Sequence, residues 1–305
     1  WVLDLGPFDQ ATAAARTAKL GRAWRSGTIA APKEWAYPSY PLRSVATTPC
    51  LLGKFTRVFV SRHRQSKIDS LASKMRVISV LTLLIGLVVG SVSISRDRIS
   101  DRELSWKKTS TSTALLNHGK VVWQFNHGPG HPKPCFHPLA TLDGTVLTGF
   151  RPSDHRWHRA GWFSFKFIDG VNYWEENKRG VAAGITETVD VKVKQNADFS
   201  AVIDLTLSYH PPGDGEVLAE RRRIQIGAPD RAGDYTMDWQ LLFTARRQLE
   251  LNRTPLPGQP GGKAYGGYAG LSLRLAKQQG SWKFLDSEAR TDDSHAKRAR
   301  WLSFS

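Results

Sequence analysis

Two histidines, one carboxylate and two guanidinium groups lie within six consecutive residues, at positions 154–159. Imidazole can donate and accept a proton near neutral pH, and a neighbouring carboxylate can fix its tautomer and raise its basicity. Asp154, His155 and His158 could therefore form an acid/base unit, with Asp154 as the orienting group. Because Pro152 and Ser153 form a turn signal, we expect the motif on a loop that leads into a strand, where proteins commonly present binding groups.

The surrounding stretch, residues 131–176, contains four of the nine histidines. In an enzyme, His155 or His158 would be the general acid and Glu175 a candidate base. Tryptophans beside charged groups suit sugar recognition, since the apolar face of a pyranose stacks on an indole. The side chains expected to bind substrate are His137, Trp157, Arg159, Trp162 and Arg274. The alternative for each tryptophan is that it only fills the core.

Metal binding is a separate possibility for the histidines. Three ligands for zinc or copper could come from His127, His131, His137, His155 and His158. Their spacing matches no strong metal motif, and neither Cys50 nor Cys135 belongs to a C-x-x-C pair. We therefore expect a site without metal or cofactor, and a metal site is the alternative.

The net charge of +16 first suggests a nucleic-acid or membrane partner. More than half of the excess lies in residues 1–76, however, and the three arginines at 221–223 lie in a strand pattern that sends neighbours to opposite faces. These arginines cannot form one stripe, and we expect one inward salt bridge among them. The glycine-rich segment 258–270 lacks a P-loop pattern and is predicted to be a mobile loop. The expected partner is a carbohydrate or small molecule, without nucleic acid.

An apolar run at residues 77–90 follows Lys74 and Arg76 and precedes small residues at 91–95. This layout predicts a signal peptide over 75–95 and a secreted or periplasmic protein, which would meet the membrane only through that segment. An uncleaved signal anchor and an organelle transit sequence are the alternatives. Residues 1–74 show no sustained periodicity and are predicted to be a leader upstream of the native coding sequence. Residues 96–119 are predicted to be a linker.

From position 120 onward, short β-branched or aromatic runs are separated by turn residues, and no amphipathic helix is apparent. Residues 201–209 alternate strictly between apolar and more polar side chains. This pattern predicts an antiparallel β-sandwich over 120–305. The chain stops at Ser305 inside a strand-like run, so we expect the domain to be truncated at its C-terminus. The predicted strands cover 121–125, 145–150, 161–168, 185–193, 201–209, 217–226, 235–244, 268–275 and 281–285.

Six motifs carry a family resemblance: FHPL at 136–139, GTVLT at 144–148, DHRWHR at 154–159, GWF at 161–163, NYWE at 172–175 and YAGLSLR at 268–274. With them, the chain from Val121 onward resembles the PmoA-like family of bacterial secreted proteins. These are often labelled "methane oxygenase PmoA" and otherwise treated as a domain of unknown function. Their strand pattern is similar to the galactose-mutarotase-like sandwich, whose members bind or transform carbohydrates with His and Glu side chains.

The resemblance and the residues together imply an exported β-sandwich protein that binds or transforms a carbohydrate. A non-catalytic carbohydrate-binding or cell-envelope structural module is one alternative. A copper- or zinc-dependent oxidoreductase, as the family label implies, is another. The label is a weak guide, because a true particulate methane monooxygenase subunit is an integral membrane protein and this chain has one hydrophobic run.

Overall fold

The computed structural model describes residues 51–60, 102–128, 130–277, 282–291 and 293–305. The predicted signal peptide at 75–95 lies outside the described residues, as does most of the predicted leader. Among the described residues there is no helix, and hence none that could cross a membrane. Their sixteen strands are β1 (Leu51–Val60), β2 (Leu104–Lys108), β3 (Ser112–Asn117), β4 (Lys120–Asn126), β5 (Cys135–Leu139), β6 (Gly161–Ser164), β7 (Phe167–Ile168), β8 (Val171–Asn172), β9 (Ile185–Gln195), β10 (Ala201–His210), β11 (Leu218–Ile226), β12 (Tyr235–Ala245), β13 (Leu251–Asn252), β14 (Gly270–Leu273), β15 (Phe284–Asp286) and β16 (Leu302–Phe304).

Two large antiparallel sheets dominate the fold. One has six strands in the order β14-β6-β5-β4-β3-β2, and the other has five in the order β1-β12-β11-β10-β9. Smaller sheets are formed by β13-β7-β8 and by β15-β16. The predicted all-β antiparallel sandwich is therefore confirmed.

The core lies between the two large sheets and contains apolar side chains from both. In β10 the residues at 201, 203, 205, 207 and 209 are buried, as the alternating sequence predicted. The ring of Phe136 on β5 contacts Trp239 on β12, with centroids 5.6 Å apart, and Phe163 on β6 packs on Phe243 at the same distance. These edge and tilted contacts between large rings join the two layers.

The five-stranded sheet also explains the three consecutive arginines. Arg221 and Arg223 on β11 are exposed, whereas Arg222 is buried and bonds to the Glu220 carboxylate at 2.6 and 3.0 Å. Glu220 also accepts a hydrogen bond from the Tyr209 hydroxyl at 2.5 Å. The prediction of alternating faces with one inward salt bridge is confirmed.

The sheets extend beyond the predicted strands at the N-terminal side. Strands β2 and β3 lie within residues 96–119, where the sequence indicated a linker, and Leu115 on β3 is fully buried. Strand β1 lies within residues 1–74, where no domain was expected, and pairs with β12 over ten residues. Strands β2 and β3 were missed because they are short and lie in a charged, Ser/Thr-rich segment, whereas the ten-residue β1 was missed because the sequence around it shows no sustained periodicity.

Two predicted strands are less regular than expected. Residues 145–150 form isolated bridges to three different partners, at Ala140, Leu275 and Arg159, and so do not make a continuous ladder. The predicted strand at 161–168 is divided into β6 and β7. Both irregular segments lie next to the DHRWHR motif.

Candidate functional site

The outer face of the six-stranded sheet carries an aromatic surface. Side chains alternate along a strand, so Phe136 and Phe163 face the core while Cys135 and Trp162 point the other way. Cys135 pairs with Trp162 across β5 and β6, and Ser272 on β14 pairs with Trp162 on the other side. Trp174 packs against this surface, with its ring 5.3 Å from that of Trp162. A second apolar cluster therefore lies outside the main core.

The DHRWHR motif lies on a loop between β5 and β6. The loop is closed at its base by a bridge between Phe150 and Arg159 and by the Arg151 N–H, which donates to the His158 carbonyl at 2.9 Å. Arg151 and Ala160 have φ values of 47° and 64°, in the left-handed region that reverses the chain. The prediction that the motif lies on a loop feeding a strand is confirmed.

A cavity of about 1350 Å³ opens over this surface. From the motif loop and the sheet it is lined by His155, Trp157, His158, Trp162, Trp174 and Arg274. Its other walls come from the loops around residues 253–268 and 293–299. The structure thus brings six of the nine predicted site residues into one cavity, namely His155, Trp157, His158, Trp162, Glu175 and Arg274.

Asp154 and His155 are in direct contact at the cavity. Oδ2 of Asp154 lies 2.9 Å from Nδ1 of His155 and 3.4 Å from Nη2 of Arg274. The close contact with His155, aided by the Arg274 charge, lowers the pKa of Asp154. The carboxylate is therefore ionised at neutral pH and lies against the imidazole, although the contact is not aligned as a hydrogen bond and Nδ1 of His155 has no hydrogen-bond partner among the described residues.

His158 lies deeper in the cavity, stacked on His155 with ring centroids 4.7 Å apart and tilted against Trp162 at 5.3 Å. Burial lowers its pKa to about 3, and the positive charges of His155 and Arg274 act in the same direction. The ring is therefore neutral at physiological pH. Its Nδ1 is buried and has no hydrogen-bond partner among the described residues. His158 can exchange hydrogen bonds with a ligand, but it holds no second proton to donate.

Glu175 is held firmly beside the aromatic surface. Lys166 Nζ lies 2.6 Å from Oε2 of Glu175, and Asn172 Nδ2 donates to the same oxygen at 2.6 Å. Burial alone would raise the pKa of Glu175, but the hydrogen bonds from Lys166 and Asn172 and the Lys166 charge outweigh it, and the pKa is lowered. A carboxylate that is stabilised in this way is a weak base, better suited to accept hydrogen bonds than to remove a proton.

Comparison with known proteins gives one match. Residues 112–305 match a family of unknown function, DUF6807. The chain belongs to this family. Neither the search of curated proteins nor that of solved structures found a match. The DUF6807 region includes every cavity residue, whereas β1 and β2 lie outside it.

Two predicted binding residues of the DUF6807 region lie outside the cavity lining. The His137 ring stacks on Phe150 with centroids 5.0 Å apart, and its Nδ1 lies 3.2 Å from the Thr148 hydroxyl. Arg159 is 1% exposed, and its guanidinium binds the Glu176 carboxylate. Both residues therefore act on the site through neighbours, His137 through Phe150 and Arg159 through Glu176.

Arg159 belongs to a buried charge cluster that the sequence did not reveal. Lys133 Nζ lies 3.2 Å from Oε1 of Glu176 and also donates to the Trp174 carbonyl oxygen. Burial lowers the pKa of Lys133 to about 8, against the opposing charge of Glu176. The cluster fixes the backbone at Trp174, one of the aromatic residues of the cavity.

The five histidines considered as metal ligands do not lie together. His127 stacks on Phe125 in the direction of the core, and His131 lies 3.9 Å from the Cys135 sulfur. His137 contacts Phe150, and of the five only His155 and His158 line the cavity. Within the described ranges, no group of three or more His, Cys, Asp or Glu side chains converges on a point that could hold a metal ion.

Further residues of the cavity also escaped the sequence analysis. Lys166 is 2% exposed, and its ammonium group lies 5.4 Å from the centre of the Tyr268 ring. Tyr268 in turn packs on Trp174, with centroids 5.6 Å apart. The one available signal was a lysine between Phe165 and Phe167 in an otherwise apolar run, which is typical of a buried and paired charge.

Proposed function

We propose that this protein binds a carbohydrate in the cavity beside the DHRWHR loop. The observation that supports this most directly is the mixture of side chains: aromatic rings from Trp157, Trp162, Trp174 and Tyr268 lie beside an imidazole pair, an arginine and a carboxylate. Sugar rings present apolar faces that stack on aromatic residues and hydroxyl groups that need donors and acceptors.

The polar groups are well placed to receive hydroxyl groups. Neutral His158 is both a donor and an acceptor, Glu175 is an ionised acceptor, and Arg274 is a donor fixed by Asp154. Half-buried Trp157 offers a ring for stacking, whereas Trp162 is 2% exposed and serves chiefly as the floor. Carbohydrate binding makes use of all of these features.

A second candidate, catalysis on the bound sugar, is favoured by the 2.9 Å contact between Asp154 and His155. In such a reaction His155 would move a proton through Nε2 while Asp154 orients it. His158 would remain neutral and bind a substrate hydroxyl. Of the two histidines considered as general acid, this second candidate function assigns the role to His155.

We also propose, as the sequence indicated, that the protein is exported and that it is related to the proteins that carry the PmoA label. The metal-dependent oxidoreductase implied by that label makes a distinct prediction, namely about one copper or zinc ion per chain retained after desalting. Mass spectrometry of the purified protein would detect it. Such a result would replace the carbohydrate proposal.

The test of binding is a thermal-shift and calorimetric screen of the full chain against a panel of oligosaccharides. We expect one sugar class to raise the melting temperature, and Trp157→Ala to abolish that shift. Trp301→Ala is the matched control, because Trp301 is also partly exposed but does not line the cavity. An unchanged shift in Trp157→Ala would show that the sugar binds elsewhere.

Catalysis is tested separately by product analysis with the sugar that binds. If His155 carries the proton, His155→Gln should retain binding and lose turnover. Binding without any product in the unmodified protein would leave the non-catalytic binding module as the function.

A further inference from the structure

The cavity carries a strong excess of positive charge. Its lining includes six cationic side chains, from Lys166, Arg253, Lys263, Arg274, Lys297 and Arg298. Only two carboxylates line it, those of Glu175 and Asp293. A concave surface lined mainly by one sign of charge concentrates the field and attracts ligands of the opposite sign.

Several of these cations have carboxylate partners. Lys166 pairs with Glu175, Arg274 contacts Asp154, and Lys297 lies 3.5 Å from Asp293. These contacts satisfy the charges locally and hold the walls in place.

Arg253 and Lys263 differ from these three cations. The Arg253 guanidinium donates to the Thr254 carbonyl at 3.1 Å and to the Gln259 side chain at 3.4 Å, both of which are neutral. Lys263 Nζ lies over the Tyr265 ring, 5.9 Å from its centre. In the described part of the chain neither cation has a carboxylate within ion-pair distance. Both belong to the loop that forms one wall of the cavity.

We propose that the ligand of this cavity is an anionic saccharide, whose carboxylate or sulfate group is bound by Arg253 and Lys263. The inference rests on the proposed function and specifies its substrate class. Guanidinium and ammonium groups form charge-assisted hydrogen bonds to carboxylate and sulfate oxygens, stronger than those between neutral partners. The sugar ring would lie toward Trp157 and Tyr268, and the charged group toward the 253–268 loop.

The arrangement also accounts for the basic loop beside an aromatic floor. A neutral sugar would use the rings and the hydroxyl-binding groups but would leave the Arg253 and Lys263 charges without a counterion. An acidic sugar uses both parts of the cavity. The two halves therefore make separable contributions to binding.

The experiment compares trios of oligosaccharides by calorimetry, each built from a hexose, from its uronic acid and from its 6-sulfate, in the gluco, galacto and manno series. The proteins are the unmodified full chain, an Arg253→Gln/Lys263→Gln variant and an Arg231→Gln/Lys107→Gln control. Arg231 and Lys107 are exposed and do not line the cavity. The control thus removes the same charge from other surfaces.

In the trio that binds, we expect a charged member to bind roughly tenfold more tightly than the neutral hexose at low salt. This advantage should shrink in high salt, disappear in the Arg253/Lys263 variant and persist in the control. Comparison of the uronic acid with the 6-sulfate identifies which anionic group is recognised.

The possible failures are distinguishable. If the neutral hexose binds as tightly as its charged partners, the inference is overturned while the proposed function stands. A charge preference that survives in the Arg253/Lys263 variant overturns the assignment of these two residues. If no member of any trio binds, the proposed function and the inference both fall.

Discussion

Arg159 holds the carboxylate of Glu176 through two nitrogens, with Nη2 at 2.9 Å from Oε1 and 3.0 Å from Oε2, and Nε at 3.1 Å from Oε1. Their side chains are 2% and 1% exposed. Lys133 completes the group and donates to the carbonyl oxygen of Trp174. A buried pair of this kind contributes little net stability compared with apolar residues, but leaving one member alone is costly. The pair therefore connects the DHRWHR loop, which carries Arg159, to the segment that carries Trp174 of the cavity.

Replacing Arg159 with Met should destabilise the fold by roughly 2–3 kcal/mol, because Glu176 would lose its bidentate partner in a buried position and keep only Lys133. The measurement is urea denaturation followed by tryptophan fluorescence. Arg156→Met is the matched control, since Arg156 lies on the same loop and is exposed. Adding Glu176→Gln to Arg159→Met should deepen the loss, because buried Lys133 would then also lose its carboxylate partner. A variant of normal stability that loses only ligand binding would instead place Arg159 in contact with the ligand.

The pH dependence of stability should reveal the neutral state of His158. Its folded pKa of about 3 lies below its ordinary value of 6.5, so between these values the unfolded chain binds more protons than the folded one. Stability must therefore fall as the pH is lowered from 6.5 toward 3. In His158→Gln this contribution is absent, and the variant should lose less stability than the unmodified protein between pH 7 and pH 5.

Denaturation curves at the two pH values measure this difference. His118→Gln serves as the control, because His118 lies on the exposed turn between β3 and β4. An NMR titration should also show one histidine that does not become protonated above pH 5. Equal acid sensitivity in His158→Gln and the unmodified protein would show that His158 is accessible and charged.

Cys135 should be chemically inert in the folded protein. It is fully buried beneath the aromatic surface, and burial raises its pKa to about 12, with the Arg159 charge opposing the shift only in part. The thiolate is the reactive form, so a thiol-specific disulfide reagent at pH 8 should leave it unmodified. A Cys50→Ser background makes Cys135 the single reporter. Full labelling should require denaturant, and rapid labelling under native conditions would contradict the placement of Cys135 below the cavity.

The sequence predicted the strands that have one apolar and one polar face. Strands β10, β11 and β12 begin and end within one residue of their predicted bounds, because buried and more exposed side chains alternate along most of their length. Strand β3 was missed because its buried side chains are partly polar: Thr113 and Asn117 are buried together with Ala114 and Leu115, so the sequence shows no apolar alternation. The segment at 145–150 has strand-like composition but bridges three partners. Composition does not report how many partners a strand has.

For the site, the sequence identified residues that are close together along the chain. Asp154, His155 and His158 share one loop and converge as expected. The partners Lys166 and Tyr268 come from other strands and loops, and their approach depends on sheet register that the sequence does not state. Arg159 was expected to bind substrate, because a buried arginine and an exposed one look alike until the position of Glu176 is known.

The contact between the two sheets provides a last test, through the buried hydroxyl of Tyr235 on β12. This hydroxyl lies 3.0 Å from the carbonyl oxygen of Ala140, which follows β5, and 3.3 Å from that of Val122 on β4. It donates toward both, and both acceptors belong to the side of the six-stranded sheet. Tyr235→Phe should lower the free energy of unfolding by about 1–2 kcal/mol, because a buried hydrogen bond is lost and acceptors remain. Tyr173→Phe is the matched control: Tyr173 is equally buried, but its hydroxyl has no hydrogen-bond partner among the described residues, so its removal should cost little. Urea denaturation of both variants gives the comparison, and equal losses would show that the hydrogen bonds of the Tyr235 hydroxyl add no measurable stability.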